Sequence, residues 1–403
     1  MRRVAIFASA FHPSLGGVEE LVRQQVRHFR AEEVEALVVT NRWPRDLPER
    51  EYVEEVPVRR LAFRFPGFGW RSEVSFAIAA RKTLRELEQE LRDWGTELIH
   101  VQCVSTNGWY ALKMSRTLRV PLLVTSQGER TMDAAGLYQN RPLMNRLLRE
   151  LLRHADGVSA CSKATLEDLR AYAGGGLAGG TVIYNGVGKE LFETVRPWAH
   201  SRPYLLAMGR MVPQKGFREL VEGFAREGLE GVDLVLAGEG PEEGALRNLV
   251  RERRLEERVV WAGRADRAQV ASLVSGCRGL VVPSLREPMG IVALEGLAQG
   301  RPLAVSRVGG LPEVVPEGEG ARFFQPGELS EVGRALRWLA QESPRFVASN
   351  RKWAERFRWE IVCGQYADLY RELWRKKGHR PEVPAFRGGA LSCGGQTFLG
   401  GEG

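Results

Sequence analysis

Residues 280–295 read Leu-Val-Val-Pro-Ser-Leu-Arg-Glu-Pro-Met-Gly-Ile-Val-Ala-Leu-Glu. The apolar run Leu280–Pro283 has the length and composition of a buried strand. Pro288 and Gly290 enforce a turn, and a helix is expected from about Ile291. A strand that turns directly into a helix is the repeating unit of a parallel sheet. Ligands of such sheets collect beyond the carboxyl ends of the strands, so this turn is a candidate site.

The same rhythm extends in both directions. Upstream, short apolar runs occur at Tyr204–Met208, Asp233–Ala237 and Val259–Trp261, and downstream at Leu303–Ser306, with helical patterns between them. The first half repeats the pattern at Arg3–Ser9, Val34–Thr40, Leu98–Gln102, Pro121–Ser126, Gly157–Ala160 and Thr181–Tyr184. Its helical segments are amphipathic: Val18, Leu21, Val22, Val26 and Phe29 fall on one face. A polar connector, Val187–Pro203, separates the two series. We therefore expect an α/β protein of two Rossmann-like domains with parallel sheets facing across a cleft. The expected domains are 1–195 and 196–356. A helical segment, 357–380, should cross back onto the first domain, and the Gly-rich tail 381–403 should be disordered.

The chain has 403 residues, enough for two or three domains, and 43% are hydrophobic, enough for sizeable cores. The net charge of +8 excludes an acidic protein and favours anionic partners. Basic charge is carried by 50 Arg and only 8 Lys. The five cysteines include no Cys-x-x-Cys pair, which argues against a disulfide framework or a zinc site and fits a reducing compartment. Met1–Phe11 has too short an apolar run for a signal peptide, and no run of 18 apolar residues suggests a membrane span.

Several loops that follow strands carry chemistry. Gly16-Gly17 opens a helix after the first strand, where a backbone can approach an anion. Gly209-Arg210 through Lys215-Gly216 sets two cations in a loop bounded by glycines, suited to a diphosphate. Gly238-Glu239-Gly240-Pro241 lacks the spacing of a dinucleotide fingerprint. In the opening stretch, the Gly290 and Ile291 amides can hold a phosphate at a helix start. Glu287 and Glu295 are placed to accept hydroxyl hydrogen bonds on either side of it, a layout that suits sugar, diphosphate and ribose.

Taken in order, these motifs resemble retaining glycosyltransferases of family 4, which have the GT-B architecture. The resemblance runs over residues 3–375 and includes His100, Val182-Ile183-Tyr184-Asn185-Gly186-Val187, the Glu287/Glu295 pair and Gly309-Gly310-Leu311-Pro312-Glu313. It implies transfer of a sugar from a nucleotide-diphosphate sugar to a hydroxyl acceptor. Arg210 and Lys215 would bind the diphosphate, and Gly290 and Ile291 would hold its distal phosphate, helped by Gly16 and Gly17. Glu287 would lie at the transferred sugar, Glu295 at the ribose, and Gly263 and Arg264 near the base, with Met289 also among the donor-binding residues. His100, Gln127 and Gly128 would face the acceptor, with Gln127 counted among the catalytic groups beside Glu287, Arg210 and Lys215. Gln127 stands where the family usually has histidine, and Gln102 where it has a second one. The resemblance implies no metal or other cofactor, and the lack of an Asp-x-Asp motif agrees with it.

The expected partners are a nucleotide sugar and a carbohydrate or lipid-linked acceptor, such as a cell-surface glycan, glycolipid or small metabolite. Arginines interleaved with aromatics at Arg59–Arg71, and Arg146, Arg149 and Arg153 at helical spacing, suit peripheral contact with an anionic membrane. Nucleic acid is not expected, because no nucleic-acid motif accompanies the charge. The expected location is the cytoplasm, on the inner face of the membrane if the protein is peripheral. The alternatives are a sugar-nucleotide epimerase on a similar fold, or a non-catalytic relative.

Overall fold

A computed structural model describes the chain apart from residues 14–15, 65–69, 134–136, 175–176, 178, 344–345 and 379–403. The expected tail at 381–403, Ser14-Leu15 and the middle of the Arg59–Arg71 stretch lie outside the described residues.

The first sheet contains β1 (Arg2–Ala8), β2 (Val34–Asn41), β3 (Arg50–Val53), β4 (Val56–Leu61), β5 (Leu98–Gln102), β6 (Leu122–Ser126), β7 (Gly157–Ala160) and β8 (Thr181–Val182). Their order is β3-β4-β2-β1-β5-β6-β7-β8. Every pairing is parallel except the hairpin β3–β4. The second sheet contains β9 (Tyr204–Met208), β10 (Asp233–Ala237), β11 (Val259–Gly263), β12 (Gly279–Val282), β13 (Leu303–Ser306) and β14 (Ala321–Phe324). Its order is β11-β10-β9-β12-β13-β14, parallel throughout.

Both faces of each sheet are covered, so strand residues alternate between two apolar layers. In β1, Ala5 and Phe7 enter one layer, and Val4, Ile6 and Ala8 the other. In β9, Leu205 and Ala207 face one layer, and Tyr204 and Leu206 the opposite one. The second core also takes in Val187, Leu191 and Phe192, which precede residue 195.

The terminal helical pattern breaks at Phe357–Arg358, and the helix Trp359–Lys376 returns to the first domain. Trp359, Val362, Cys363, Tyr366, Tyr370, Leu373 and Trp374 follow helical spacing and pack with Val4, Ile6, Leu21, Val22 and Phe29. The outgoing and returning segments touch: Val187 pairs with Arg358, and the Val187 amide donates to the Phe357 carbonyl at 2.8 Å. No described helix is long and apolar enough to cross a membrane.

Candidate functional site

The second sheet reverses its winding between β9 and β12, and the loops after these two strands meet there. The Gln214 carbonyl accepts from the Leu285 and Arg286 amides at 2.9 and 3.1 Å, tying one loop to the other. Lys215 Nζ then reaches Glu287 Oε2 at 2.7 Å, and Ser284 Oγ donates to the same oxygen at 2.9 Å. Glu287 is only 8% exposed. A buried carboxylate needs such a cation, because desolvation without one costs several kcal/mol (about 3–5). Arg210 is exposed, and its guanidinium makes no hydrogen bond or ion pair among the described residues. The two expected cations and Glu287 thus belong to one loop pair, with Lys215 on Glu287 and Arg210 open to a ligand.

Gly290 is the N-cap of the helix Ile291–Ala298. The first amides of a helix have no acceptor within it, so Ile291 presents a free donor beside Glu287. Met289 is a correction: its side chain is buried, and its sulfur accepts from the Asn185 amide at 3.0 Å, leaving only its main chain for a ligand. Gly263 ends β11 with open space over its α-carbon, and the exposed Arg264 follows it. Gly16 caps the helix Gly17–Phe29, and Gly17 also faces open space.

Glu295 is 9% exposed, and burial pushes its carboxyl up to about 7 against the pull of Arg267. Arg267 lies 3.6 Å from both Glu295 and Glu190, and donates to Glu20 of the first domain at 2.7 Å. Burial raises Glu20, but Arg23, Arg267 and Gln24 outweigh it and hold the carboxyl down at about 2. Arg267 and Glu20 therefore join the domains beside Glu295. Sequence reading passed over both, because nothing local marks a pair 247 residues apart.

On the facing side, Gln127 uses both ends of its amide. Its oxygen accepts from Asn185 at 2.8 Å, and its nitrogen donates to Gln102 at 3.4 Å, which itself donates to Gln25 at 3.0 Å. One amide hydrogen of Gln127 is left for a ligand. Glu129, unnoticed in the sequence, shapes this turn by accepting from the Val104 and Gln127 amides and from Ser126. Gly128 meets the opposite domain: a Cβ there would lie 2.3 Å from Pro288 Cγ.

His100 is the main correction. It lies in the middle of β5 and is 0% exposed. Nδ1 is 2.7 Å from Tyr370 Oη, and Nε2 is 2.7 Å from Thr125 Oγ1. Burial pushes the imidazole down to about 3, so it is neutral and cannot face an acceptor. Arg59 and Arg60 are also buried; Arg59 lies 3.3 and 3.4 Å from Glu49 and Glu90, and Arg60 2.5 Å from Glu51. They are interior ion pairs and offer no charge to a membrane.

Between the domains lies a cavity of about 280 Å³ lined by Thr131, Ala164 and Thr165 on one side and by Arg286, Glu287, Pro288, Val308 and Gly309 on the other. Its floor is thus the Glu287 loop.

Residues 16–186 match the model of the glycosyl transferase 4-like domain, and residues 189–358 that of glycosyl transferases group 1. Glycogen synthase of Mycobacterium tuberculosis is 30% identical over 245 residues, which are 58% of this chain and 58% of that protein. An uncharacterized glycosyltransferase of Methanocaldococcus jannaschii is 26% identical over 91% of this chain and 98% of its own length. Among solved structures, sucrose-phosphate synthase from Thermosynechococcus elongatus matches with a TM-score of 0.78, 24% identity, and coverage of 93% of this chain and 100% of that one. An Anabaena protein solved with UDP and glucose matches with a TM-score of 0.73, 20% identity, and coverage of 92% and 100%.

Proposed function

Because the chain belongs to the family 4 glycosyltransferases of GT-B architecture, we propose that it moves a sugar from a nucleotide-diphosphate donor to a hydroxyl acceptor. The observation that carries this reading is the Lys215–Glu287 pair beside the open start of the helix Ile291–Ala298. A diphosphate entering there meets Lys215, Arg210 and the Ile291 amide, which can stabilise the charge of the departing nucleotide. As Lys215 turns to the phosphate, Glu287 becomes free to accept hydroxyls of the transferred sugar. Glu295 receives the ribose and Arg264 stands toward the base. Gln127 and Gly128 face the sugar from the first domain, on the acceptor side expected for them, while the buried His100 takes no part.

Cations already stand where the leaving-group charge develops, so the reaction needs no metal. Membership of the family, rather than any residue of the site, implies a retaining transfer in which departure and attack occur on the same face of the sugar, with no carboxylate assigned as a nucleophile. The acceptor is a glycan, glycolipid or small metabolite.

A thermal-shift panel of UDP, GDP, ADP and their sugars tests the donor site. One diphosphate should raise Tm clearly more than the others, and EDTA should leave both the shift and the transfer unchanged. UDP is the first candidate, as the nucleotide held by the Anabaena neighbour. No shift with any of them overturns the reading. Conversion of the donor to a new sugar nucleotide without an acceptor replaces it with an epimerase.

A pH dependence also follows from Glu295. Above its value of about 7 the carboxylate accepts both ribose hydroxyls; below it the acid loses acceptor capacity. Nucleotide affinity should therefore fall up to about tenfold from pH 8 to pH 6, since one pH unit below the pKa leaves about a tenth ionised. The nucleotide's own phosphate titrates nearby, so the fall is read as the difference between wild type and Glu295→Gln in calorimetry. Without ligand the sign is opposite: the raised value makes this group cost stability as pH rises from about 4.5 to about 7. Parallel pH curves for the two proteins would refute the assignment.

A further inference from the structure

We propose that Glu313 is a positioning residue that fastens the first domain to the loop presenting Glu287, and so sets the distance between acceptor side and donor sugar. The inference rests on the donor site proposed above. Glu313 closes the Gly309-Gly310-Leu311-Pro312-Glu313 motif, to which the donor site assigns no contact. Its carboxylate leaves the second domain and accepts hydrogen bonds from the Lys163 and Ala164 amides at 2.7 and 2.9 Å. These are the first two amides of the helix Lys163–Ala173, and the third, Thr165, is capped by Ser162 Oγ at 3.0 Å. A carboxylate at a helix start is favoured by both hydrogen bonding and the helix dipole. Tyr184 Oη donates to the same carboxylate at 3.0 Å, from the segment that leaves the first domain.

The joint extends from Glu313 to the donor loop. The Gly310 amide donates to the Glu287 carbonyl at 3.0 Å, and the Glu313 amide to the Gly310 carbonyl at 3.0 Å. From the first domain, Ser162 Oγ and Thr165 Oγ1 contact the Pro288 carbonyl at 2.5 and 3.3 Å. Glu287–Pro288 is thus clamped between Gly309–Gly310 and the start of the helix Lys163–Ala173, and Glu313 bolts the two jaws together. Without its carboxylate, three donors lose an acceptor and the jaws keep only the Pro288 contacts, the Asn185–Met289 hydrogen bond and the packing of Ser162 on Gly310. The donor would still bind, since Lys215, Arg210 and Glu295 all lie in the second domain. The Gln127 side would then be free to drift from the sugar.

The test uses Glu313→Ala, Glu313→Gln and Tyr184→Phe in the full chain. For Glu313→Ala, the dissociation constant of the best-shifting nucleoside diphosphate should stay within about twofold, while kcat for transfer falls at least about tenfold, the scale of a small misplacement of reacting groups. Glu313→Gln, which keeps one acceptor oxygen, should lie between it and wild type, and Tyr184→Phe should stay close to wild type. Small-angle scattering should show a larger radius of gyration for ligand-free Glu313→Ala. Unchanged kcat in folded variants overturns the proposal. So does a parallel loss of kcat and nucleotide affinity, which would mark a purely structural role. If Glu313→Ala does not fold, Glu313→Gln decides on the same criteria. A wild type that neither binds nucleotide nor transfers sugar would overturn the donor reading instead, and an unchanged radius of gyration would still overturn the joint.

Discussion

Lys215→Ala is expected to abolish the thermal shift given by a nucleoside diphosphate and to lower kcat/KM for transfer by about a thousandfold, the upper range for loss of one group aimed at developing charge. Two losses coincide. The diphosphate loses its nearest fixed cation, and Arg210, exposed and unanchored, does not replace it. The Glu287 carboxylate also loses the ammonium held at 2.7 Å, leaving Ser284 as its remaining side-chain partner. That unpaired charge should destabilise the free protein by about 3 kcal/mol, near the lower end for breaking a buried pair. A double substitution separates the two effects. Lys215→Ala with Glu287→Gln should recover much of the Tm, since the orphaned charge is gone, but none of the nucleotide binding. Retention of a normal nucleotide shift by Lys215→Ala would remove the basis of the donor site.

Gly309→Ala should nearly silence the enzyme while sparing nucleotide binding. Gly309 has a φ of +54°, and a Cβ there would lie 1.8 Å from the Glu287 carbonyl oxygen and 2.9 Å from its carbonyl carbon. These are backbone atoms, so no side chain can swing aside. The Glu287–Pro288 segment must move by more than an ångström, and a shift of that size costs about 10²-fold in rate. Lys215 can follow Glu287 because its stem is flexible, so the diphosphate should still raise Tm. Transfer within threefold of wild type would mean that the loop has more freedom than its packing suggests.

The sequence exposed those parts of the molecule whose signal is local. Apolar runs bounded by turns marked the parallel strands to within a residue or two, and the loops after β9 and β12 stood out because glycine, proline and charge are concentrated there. The hairpin β3–β4 was missed for a physical reason. Its turn residues Glu54 and Glu55 both have positive φ, at 51° and 67°. Such a turn normally signals itself through Asn or Gly, and two glutamates give no such sign. Strand β14, Ala-Arg-Phe-Phe, is too short and too mixed to register.

Contacts between distant segments were hidden for another reason. The family resemblance turned His100 toward the acceptor, but Tyr370, 270 residues later, covers it. Arg59 and Arg60 read as surface charge until Glu49, Glu51 and Glu90 were found around them. The Arg267–Glu20 and Glu313–Lys163 contacts cross from one domain to the other. Periodicity reports which face of an element is buried, but not what buries it.

The return of the helix Trp359–Lys376 to the first sheet bears on how the chain is made. The apolar layer around Val4, Ile6, Leu21 and Phe29 is finished only by Tyr366, Tyr370 and Trp374. On the ribosome, the strands and helix of the first domain must wait for residues that follow the whole second domain. At 5–20 residues per second, the interval between position 195 and position 376 lasts roughly 10–40 s. Throughout it the nascent first domain carries a bare greasy flank, and the second domain emerges and can fold while that flank stays open. The first domain is therefore translated before the second but completed after it, and a ribosome that stalls before Trp359 releases a product prone to stick to its neighbours.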